Sequence, residues 1–371
     1  MELGFLKDFN KQVDKMDGVG RSSSPPRFWY HTGNHVLNKI ISGSYMKGIP
    51  QGRITVFAGP SASGKSFLTG NVIREAQKAG AFILVVDSEN ALDDAFMTAI
   101  GVDTTKNYSY VSVVTIAQAQ NIISSFLKGY KKEYGNAPDA PEVLICLDSL
   151  SMLLTDTELE NYDKGTMKGD MGQRNKQLKS MLRTFVQDIK DLNVTMTVTT
   201  QVYANQNPMD GNGVWVVPDA IRYSASQIVL TTKLKLRSTE AGSRDIDGIR
   251  MKCEGFKTRF TAPFQVVTIE VPYARGMDPY NGLLKVAEEL KVVEKRGSRY
   301  VLAGEDSTWY AKDFDKYAAD VLVKCEAMCE TFLEGKVDEE DEDHTNPESA
   351  TSQRKRKVSG DGNPTEPLTE G

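Results

Sequence analysis

Eight consecutive residues, Gly59-Pro60-Ser61-Ala62-Ser63-Gly64-Lys65-Ser66, narrow what this chain can fold into more than any other stretch. They fit the pattern G-x-x-x-x-G-K-[ST], and both flanks suit it. Upstream, Arg53-Ile54-Thr55-Val56-Phe57-Ala58 is an apolar, β-branched run that reads as a buried strand. Downstream, Phe67 to Ala79 has helical periodicity and stops at Gly80. A strand, a glycine turn and a helix start aim several backbone N–H groups at one point, where they can hold the phosphates of a nucleotide. In such a cradle Lys65 reaches the β- and γ-phosphates and the Ser66 hydroxyl is a magnesium ligand.

With 371 residues, 40% of them hydrophobic and 26% charged, the chain reads as a soluble protein able to bury one sizeable core and a smaller second unit. No apolar stretch approaches the roughly 18 residues that cross a bilayer, so no membrane association is expected. Met1 to Lys15 carries acids and lacks the apolar segment of a signal peptide. Cys146, Cys253, Cys325 and Cys329 show no CxxC or pairing pattern, which suits a reducing cytoplasm. Cys146 reads as core, and Cys325 and Cys329, four apart on one helical face, read as packing rather than metal binding. The net charge of −5 is unevenly placed. Glu334 to Gly371 holds 11 acids and 5 bases, a net of −6, so residues 1–333 sum to −5 − (−6) = +1. Local basic patches must carry any binding to nucleic acid.

Four segments follow from the pattern. Residues 1–30 hold a short helix with Leu6, Phe9, Val13 and Met16 on one side, then the linker Ser22-Ser23-Ser24-Pro25-Pro26. That apolar side needs a surface, on its own core or on a neighbouring subunit. Residues 31–271 alternate strands with helices. The strands are expected at Ile54–Ala58, Phe82–Asp87, Val143–Asp148, Val194–Thr200, Ile228–Thr232, Ile249–Cys253 and Phe264–Val271, the helices near Lys65–Ala79, Ile116–Tyr134 and Gln173–Leu192. The fold class is therefore α/β, a mostly parallel sheet flanked by helices. Residues 272–335 form a small C-terminal α+β unit, with a hairpin around Arg296-Gly297-Ser298 and a helix near Asp313–Phe332. Residues 336–371, acidic then polar, read as a disordered tail.

Hydrolysis of a nucleotide needs a carboxylate for magnesium and a group to orient water. Val143 to Asp148 is an apolar strand ending in an acid, which places Asp148 as a magnesium ligand at the carboxyl edge of the sheet. Phe82 to Val86 ends in Asp87-Ser88-Glu89-Asn90. There Glu89 reads either as the general base for the attacking water or as a solvated loop acid.

The segment Val86-Asp87-Ser88-Glu89-Asn90-Ala91-Leu92-Asp93 resembles the one that follows the phosphate loop in the RecA family of DNA strand-exchange recombinases. The resemblance runs from about Thr32 to Gly304, with motifs in the family's order. It implies a RecA-type ATPase core, ATP and Mg²⁺ as cofactors, and Glu89 as the catalytic glutamate. Phe96 matches the aromatic that stacks on adenine, and Asp93 an acid near the base edge. Thr199-Thr200-Gln201 ends a strand as the family's N-Q does, which makes Gln201 the sensor of the γ-phosphate. Lys257-Thr258-Arg259 resembles the K-x-K segment whose cations, Lys257 and Arg259, reach the neighbouring subunit's ATP. Such groups act like arginine fingers, worth ~10³–10⁵ in rate. The turn Gly276-Met277-Asp278-Pro279-Tyr280 and the compact length resemble the bacteriophage, UvsX-like branch, which implies the cytoplasm of a bacterial host.

Two segments resemble the family's DNA-facing loops. Residues 160–172, with Lys164 and Lys168, lead into a helix carrying Arg174, Lys176, Lys179 and Arg183. Lys176 and Arg183 match positions that contact the single strand's phosphates. Residues 204–219 are rich in Asn and Gly around Trp215, for which stacking on bases and simple packing both stand open. Arg222 matches a basic position at the subunit interface and joins the DNA-facing set. The sequence departs from the family at Asn90, where a histidine is usual, and in the basic character of Lys164 and Lys168. His31 and His35 sit four apart with no third ligand, and Arg354-Lys355-Arg356-Lys357 reads as a basic patch in the tail.

The function implied is a DNA-dependent ATPase, ATP to ADP and phosphate, that forms a filament on single-stranded DNA and pairs it with homologous duplex DNA in recombination and repair. A loading factor and a single-strand-binding protein are implied as further partners. The acidic tail would compete with duplex DNA for basic surface or recruit basic partners. Two alternatives share the core, a ring helicase or motor and a weakly hydrolysing mediator. The short stretch before the core argues against the first, and Lys65, Glu89, Asp148 and Gln201 argue against the second.

Overall fold

The computed structural model describes residues 4–16, 25–166, 172–205, 215–238 and 245–338. In chain order these form α1 (Gly4–Val13), β1 (Trp29–Tyr30), α2 (His35–Ser42), β2 (Ile49–Pro50), β3 (Ile54–Ala58), α3 (Lys65–Lys78), β4 (Phe82–Asp87), α4 (Asp94–Ile100), β5 (Tyr108–Ser112), α5 (Ile116–Tyr134), β6 (Val143–Asp148), α6 (Asp156–Asp163), α7 (Gln173–Ile189) and β7 (Val194–Thr200). They continue with β8 (Tyr203–Ala204), β9 (Trp215–Val216), α8 (Asp219–Ser224), β10 (Gln227–Arg237), β11 (Ile246–Lys257), β12 (Val266–Pro272), α9 (Leu283–Glu289), β13 (Val293–Arg296), β14 (Arg299–Leu302), β15 (Thr308–Tyr310) and α10 (Ala318–Asp338).

Eight of these strands form one sheet in the order β12-β11-β10-β3-β7-β6-β4-β5. From β10 to β5 every neighbouring pair is parallel. The central strands β3, β6 and β7 are buried along their whole length, because helices cover both faces of a parallel sheet and leave no polar side. Alternate residues divide between the faces. Val56, Val86 and Ile145 join α5 and α7 in one core, while Phe57, Val85 and Cys146 join α2, α3 and α4 in the other. The fold class is thus α/β with a mostly parallel sheet, and the core helices fall within a few residues of their expected bounds.

The far side of the sheet differs from a simple βα alternation. β10 and β11 are longer than expected and pair antiparallel over ten register positions, and β12 pairs antiparallel with β11. With no helix between them, these strands can only meander. β12 starts at Val266 rather than Phe264. Phe264 stands in the left-handed region at φ 66°, a conformation no strand continues through. The edge strand β5 had no clear signal, since its Tyr108-Ser109-Tyr110-Val111-Ser112 run is partly exposed throughout.

Toward the carboxyl end, β13, β14 and β15 form a small antiparallel sheet, and Arg296 opposes Arg299 across the turn read from the sequence. A third core joins Leu283, Val293, Leu302, Trp309, Phe314, Val321 and Cys325 with Val36 of α2 and Tyr45. Cys325 and Cys329 are buried there, as packing requires, and Cys146 lies in the core that β6 shares with α2, α3 and α4. The expected helix opens as a 3-10 turn, Ala311–Lys316, before α10. On α1, Val13 is buried, whereas Leu6 and Phe9, and Met16 beyond its end, are exposed. Residues 339–371, which hold most of the expected tail, lie outside the described residues, as does the linker through Ser24. Among the described residues no helix is long and apolar enough to cross a membrane.

Residues 31–45 fasten the third core to the sheet. Asn34 Nδ2 donates to the carbonyls of Asp278 and Asn281, His35 N donates to Pro279 O at 2.9 Å, and the His35 ring stacks on Tyr280. Gly33 N donates to His31 Nδ1 at 2.9 Å, so the neutral His31 ring carries its proton on Nε2, 3.2 Å from His35 Nδ1. Burial, with His35 beside it, holds His31 down at about 4, and burial lowers His35 too. A histidine whose folded pKa lies below its unfolded value of roughly 6.5 contributes stability that is full above that value and is lost as pH falls toward the folded pKa. We expect the melting temperature to fall between pH 7 and pH 4.5, with His31 accounting for up to about 3 kcal/mol. His31→Gln, which keeps an acceptor for Gly33, should flatten that slope. Equal slopes for variant and wild type in thermal melts would contradict this.

Candidate nucleotide site and nucleic-acid face

β3, β7, β6 and β4 are consecutive neighbours, and all run the same way. Their carboxyl ends therefore gather the phosphate loop, Gln201, Asp148 and Glu89 along one edge of the sheet, the crevice where ligands bind in open α/β sheets. Gly59 N donates to Thr200 O at 3.1 Å, which ties the loop to β7. Ser63 Oγ meets Thr231 Oγ1 at 2.8 Å, which ties it to β10. Gly64 takes φ 96° as it turns into α3, a conformation suited to glycine. A Cβ on Gly59 would overlap the carbonyl and hydroxyl oxygens of Thr231 and the Ser63 hydroxyl.

Lys65 is buried, and its Nζ donates to the carbonyls of Gly59 and Pro60 at 3.1 and 3.0 Å. Burial lowers its pKa, against the pull of Glu89 and Asp148. Asp148 is also buried, and burial pushes its pKa up, while the hydroxyls of Thr199 and Ser66 favour the ion. Asp148 Oδ1 accepts from Thr199 Oγ1. Among the described residues its Oδ2 is buried with no hydrogen-bond partner. A buried carboxylate oxygen without a donor, beside a serine hydroxyl and two further acids, suits a hard divalent cation with oxygen ligands. Ser66 and Asp148 therefore fit Mg²⁺.

Glu89 is half-buried, and its Oε1 accepts from Ser149 Oγ at 2.5 Å. The turn that carries it is wrapped around Asp87. That buried carboxylate accepts from Glu89 N at 2.8 Å, Leu92 N at 3.0 Å and Tyr110 OH at 3.1 Å. Ser88 Oγ donates to Ser149 O at 2.7 Å and accepts from Ser149 N at 3.0 Å, which locks the ends of β4 and β6 together. Asp87, Ser149 and Tyr110 were not singled out from the sequence. Asp87 ends an apolar strand as Asp148 does, a signal that was there to be read; Ser149 and Tyr110 had none. Asp93 caps α4, accepting from Phe96 N at 2.8 Å, and Phe96 is half-buried against the core. Pro60, Ser61 and Ala62 form the loop's outer turn, with Ala62 at φ 55°.

Lys257 and Arg259 lie elsewhere. Lys257 is level with Ile228, at the amino end of β10, toward the opposite edge of the sheet from the phosphate loop. Its Nζ donates to Arg222 O at 2.6 Å, and burial followed by Arg259 and Arg222 lowers its pKa. Arg259 lines a groove of about 980 Å³ together with Arg53, Lys176, Lys179, Arg183 and Lys190. The exposed Tyr223 lies there under Lys179, whose Nζ is 5.4 Å from the ring centroid. Lys176 and Arg183 thus share one cationic groove, and Arg259 lines it with them.

Other members of the expected DNA-facing set are dispersed. Lys164 is exposed at the end of α6 and pairs with Glu160 at 3.3 Å. Arg174 is half-buried, and its Nη2 donates to Ser151 O. Trp215 is half-buried against the main core, in a two-residue strand paired with β8. Arg222 is exposed and pairs with Asp219 at 3.4 Å. Lys168 and residues 206–214 lie outside the described residues.

Residues 29–278 match the RecA N-terminal domain family. The chain is 25% identical over 317 residues to Protein RecA of Phytoplasma mali, covering 82% of this chain and 86% of that one. It is 26% identical over 312 residues to Protein RecA of Arthrospira platensis, covering 81% and 79%. With Protein RecA of Syntrophus aciditrophicus the figures are 26% over 291 residues, 75% and 78%.

The crowding at Gly59 generates a test. Gly59→Ala should cost about 1–3 kcal/mol in stability, the usual range for overpacking, and weaken binding of a fluorescent ATP analogue at least tenfold. Wild-type affinity in a titration would show that the loop tolerates the added methyl group.

Proposed function

The chain belongs to the RecA family, and from that premise we propose that it is an ATP-dependent recombinase which assembles on single-stranded DNA and pairs it with a homologous duplex. The observation that carries this reading is the division of labour between the two edges of the sheet. Lys65, Ser66, Glu89, Asp148 and Gln201 share one edge, while Lys257 and Arg259 stand toward the other. A subunit so arranged has most of an ATPase site and the cations to complete its neighbour's.

In this reading the loop N–H groups and Lys65 bind the phosphates of ATP, and Ser66 and Asp148 hold Mg²⁺, which neutralises charge on the β- and γ-phosphates. Phe96 and Asp93 take the base. Glu89, oriented by Ser149, accepts a proton from water as its oxygen bonds to the γ-phosphorus, and the bond to the β-phosphate oxygen breaks to leave ADP and phosphate. Gln201, at the end of β7 and the entrance to the second loop, reports the γ-phosphate to the DNA face. Lys176, Lys179 and Arg183 bind backbone phosphates without reading sequence, which makes binding salt-dependent. Lys164, Lys168 and Arg222 add to that field, and the half-buried position of Trp215 supports packing over stacking on bases. The exposed Leu6 and Phe9 of α1, with Met16 just beyond it, support a contact with an adjoining subunit. The turn at Gly276-Met277-Asp278-Pro279-Tyr280 supports a place in the bacteriophage, UvsX-like branch, hence action in a host cytoplasm with a loading factor and a single-strand-binding protein.

ATP hydrolysis measured without DNA, with single-stranded DNA and with duplex DNA at matched salt tests this. Strong stimulation by single-stranded DNA, with helical filaments in electron micrographs, is expected; rings, or turnover indifferent to DNA, would favour a motor. Glu89→Gln should keep ATP binding and filaments while turnover drops by ~10²–10⁴, the range for a lost general base. Lys257→Ala should also bind ATP yet lose turnover, and full activity in that variant would remove the contact in trans.

A further inference from the structure

Between the DNA-facing helix and the catalytic glutamate lies a three-residue bridge, Ser149-Leu150-Ser151, and each of its residues is held by a different part of the site. Ser149 Oγ donates to Glu89 Oε1 at 2.5 Å. Leu150 N donates to Thr199 O at 3.0 Å, on β7. Ser151 Oγ accepts from Gln201 N at 2.7 Å and meets Thr200 Oγ1 at 3.1 Å. Ser151 O accepts from Arg174 Nη2. Arg174 sits in the first turn of α7, directly after Gly172, which enters the helix at φ 79°. Its neighbour Lys176 is exposed and faces the cationic groove. One helical turn therefore holds a groove cation pointing outward and a guanidinium anchored inward. Ser151 and Arg174 also line a cleft of about 460 Å³ with Glu158, Thr200 and Tyr203, separate from the cationic groove.

We propose that Arg174 and Ser151 are positioning residues that transmit engagement of DNA by α7 to Glu89, and that Arg174 does not serve as a phosphate contact. This rests on the recombinase reading and names the regulation of its ATPase site. When the first turn of α7 shifts to meet a backbone, the guanidinium carries the Ser151 carbonyl with it. Two residues away along a rigid segment, Ser149 then moves the carboxylate that takes the proton from water. Because Ser151 Oγ also accepts from Gln201 N, the same segment feels the γ-phosphate sensor. A short hydrogen-bonded chain whose ends touch the two ligands is the physical connection that coupling between sites needs, and the coupling is reciprocal for binding.

The two roles open to Arg174 make opposite predictions. A phosphate contact sets affinity, so its loss raises the apparent Kd for single-stranded DNA and lowers the salt slope by about 1, with turnover intact at saturating DNA. A positioning residue sets the stimulated rate. With the full-length protein, we expect Arg174→Gln and Ser151→Ala each to lower kcat at saturating single-stranded DNA about tenfold or more. The Kd for a fluorescent oligonucleotide, measured with a non-hydrolysable ATP analogue, should stay within about twofold, since no lost group touches phosphate. Arg174→Lys, which keeps a cationic donor, should recover part of the rate, and the double variant should be no worse than the poorer single one, as for members of one chain of contacts. Oligonucleotide binding by each variant establishes that it folds and assembles. A raised Kd with normal kcat for Arg174→Gln, or wild-type stimulation in Ser151→Ala, would overturn the relay and leave the recombinase reading standing. A wild-type protein with no turnover stimulated by single-stranded DNA would overturn both.

Discussion

Parallel pairing of β3 with β7, β7 with β6 and β6 with β4 is the constraint on which the rest depends. Each strand contributes a single functional residue or turn at its carboxyl end, and none of these would meet if one pairing were reversed or displaced. The pairing holds because the strands are buried on both faces, so a slip by one residue would exchange the contents of two filled cores. Val56 and Phe57 belong to different cores, as do Ile145 and Cys146. Packing on the two faces thus sets the alignment of a site that lies on neither.

The site collects charge that the fold would not otherwise tolerate. Asp87 and Asp148 are buried strand ends, with Lys65 buried beside Asp148 and Glu89. Asp87 is satisfied by two backbone N–H groups and a tyrosine hydroxyl, so its role is completed within the chain. Among the described residues Asp148 keeps one buried oxygen without a donor, which suits a cation supplied from outside. Two acids at matching positions, level with each other across β4 and β6, thus differ in whether the described residues satisfy them.

Much of this was legible from residues alone. The β3–α3 unit announces itself because a glycine loop between an apolar run and an amphipathic helix has few other uses, and Asp148 follows from an apolar strand that ends in an acid, whereas Glu89 read from its residues as either a base or a solvated acid and took its role from the family resemblance. The edge strand β5 was not legible, since an alternating Tyr/Ser run at a sheet edge has neither the apolar continuity of a buried strand nor a helical period. Nor was the meander β10-β11-β12, where strand type could be read but direction could not. Arg174 shows the same limit at the level of one side chain. In a row of basic residues on one helix, only the packed structure separates the guanidinium held by Ser151 O from the neighbouring groove lysine.

By itself, the sequence determined the local pieces: a glycine turn between a strand and a helix, its lysine and serine, two acids at strand ends, and cations at Lys257 and Arg259. These are properties of short segments, and backbone geometry with hydrogen-bonding capacity is enough to specify them. Only the tertiary structure decided which of them meet. Strand order brought Gln201, Asp148 and Glu89 to one edge, the antiparallel run of β11 carried Lys257 toward the other, and Ser149 and Ser151 became links between parts far apart in the chain. Those outcomes depend on contacts between residues 50 to 168 positions apart. Such contacts follow from the joint packing of both faces of the sheet, and no window along the chain contains them.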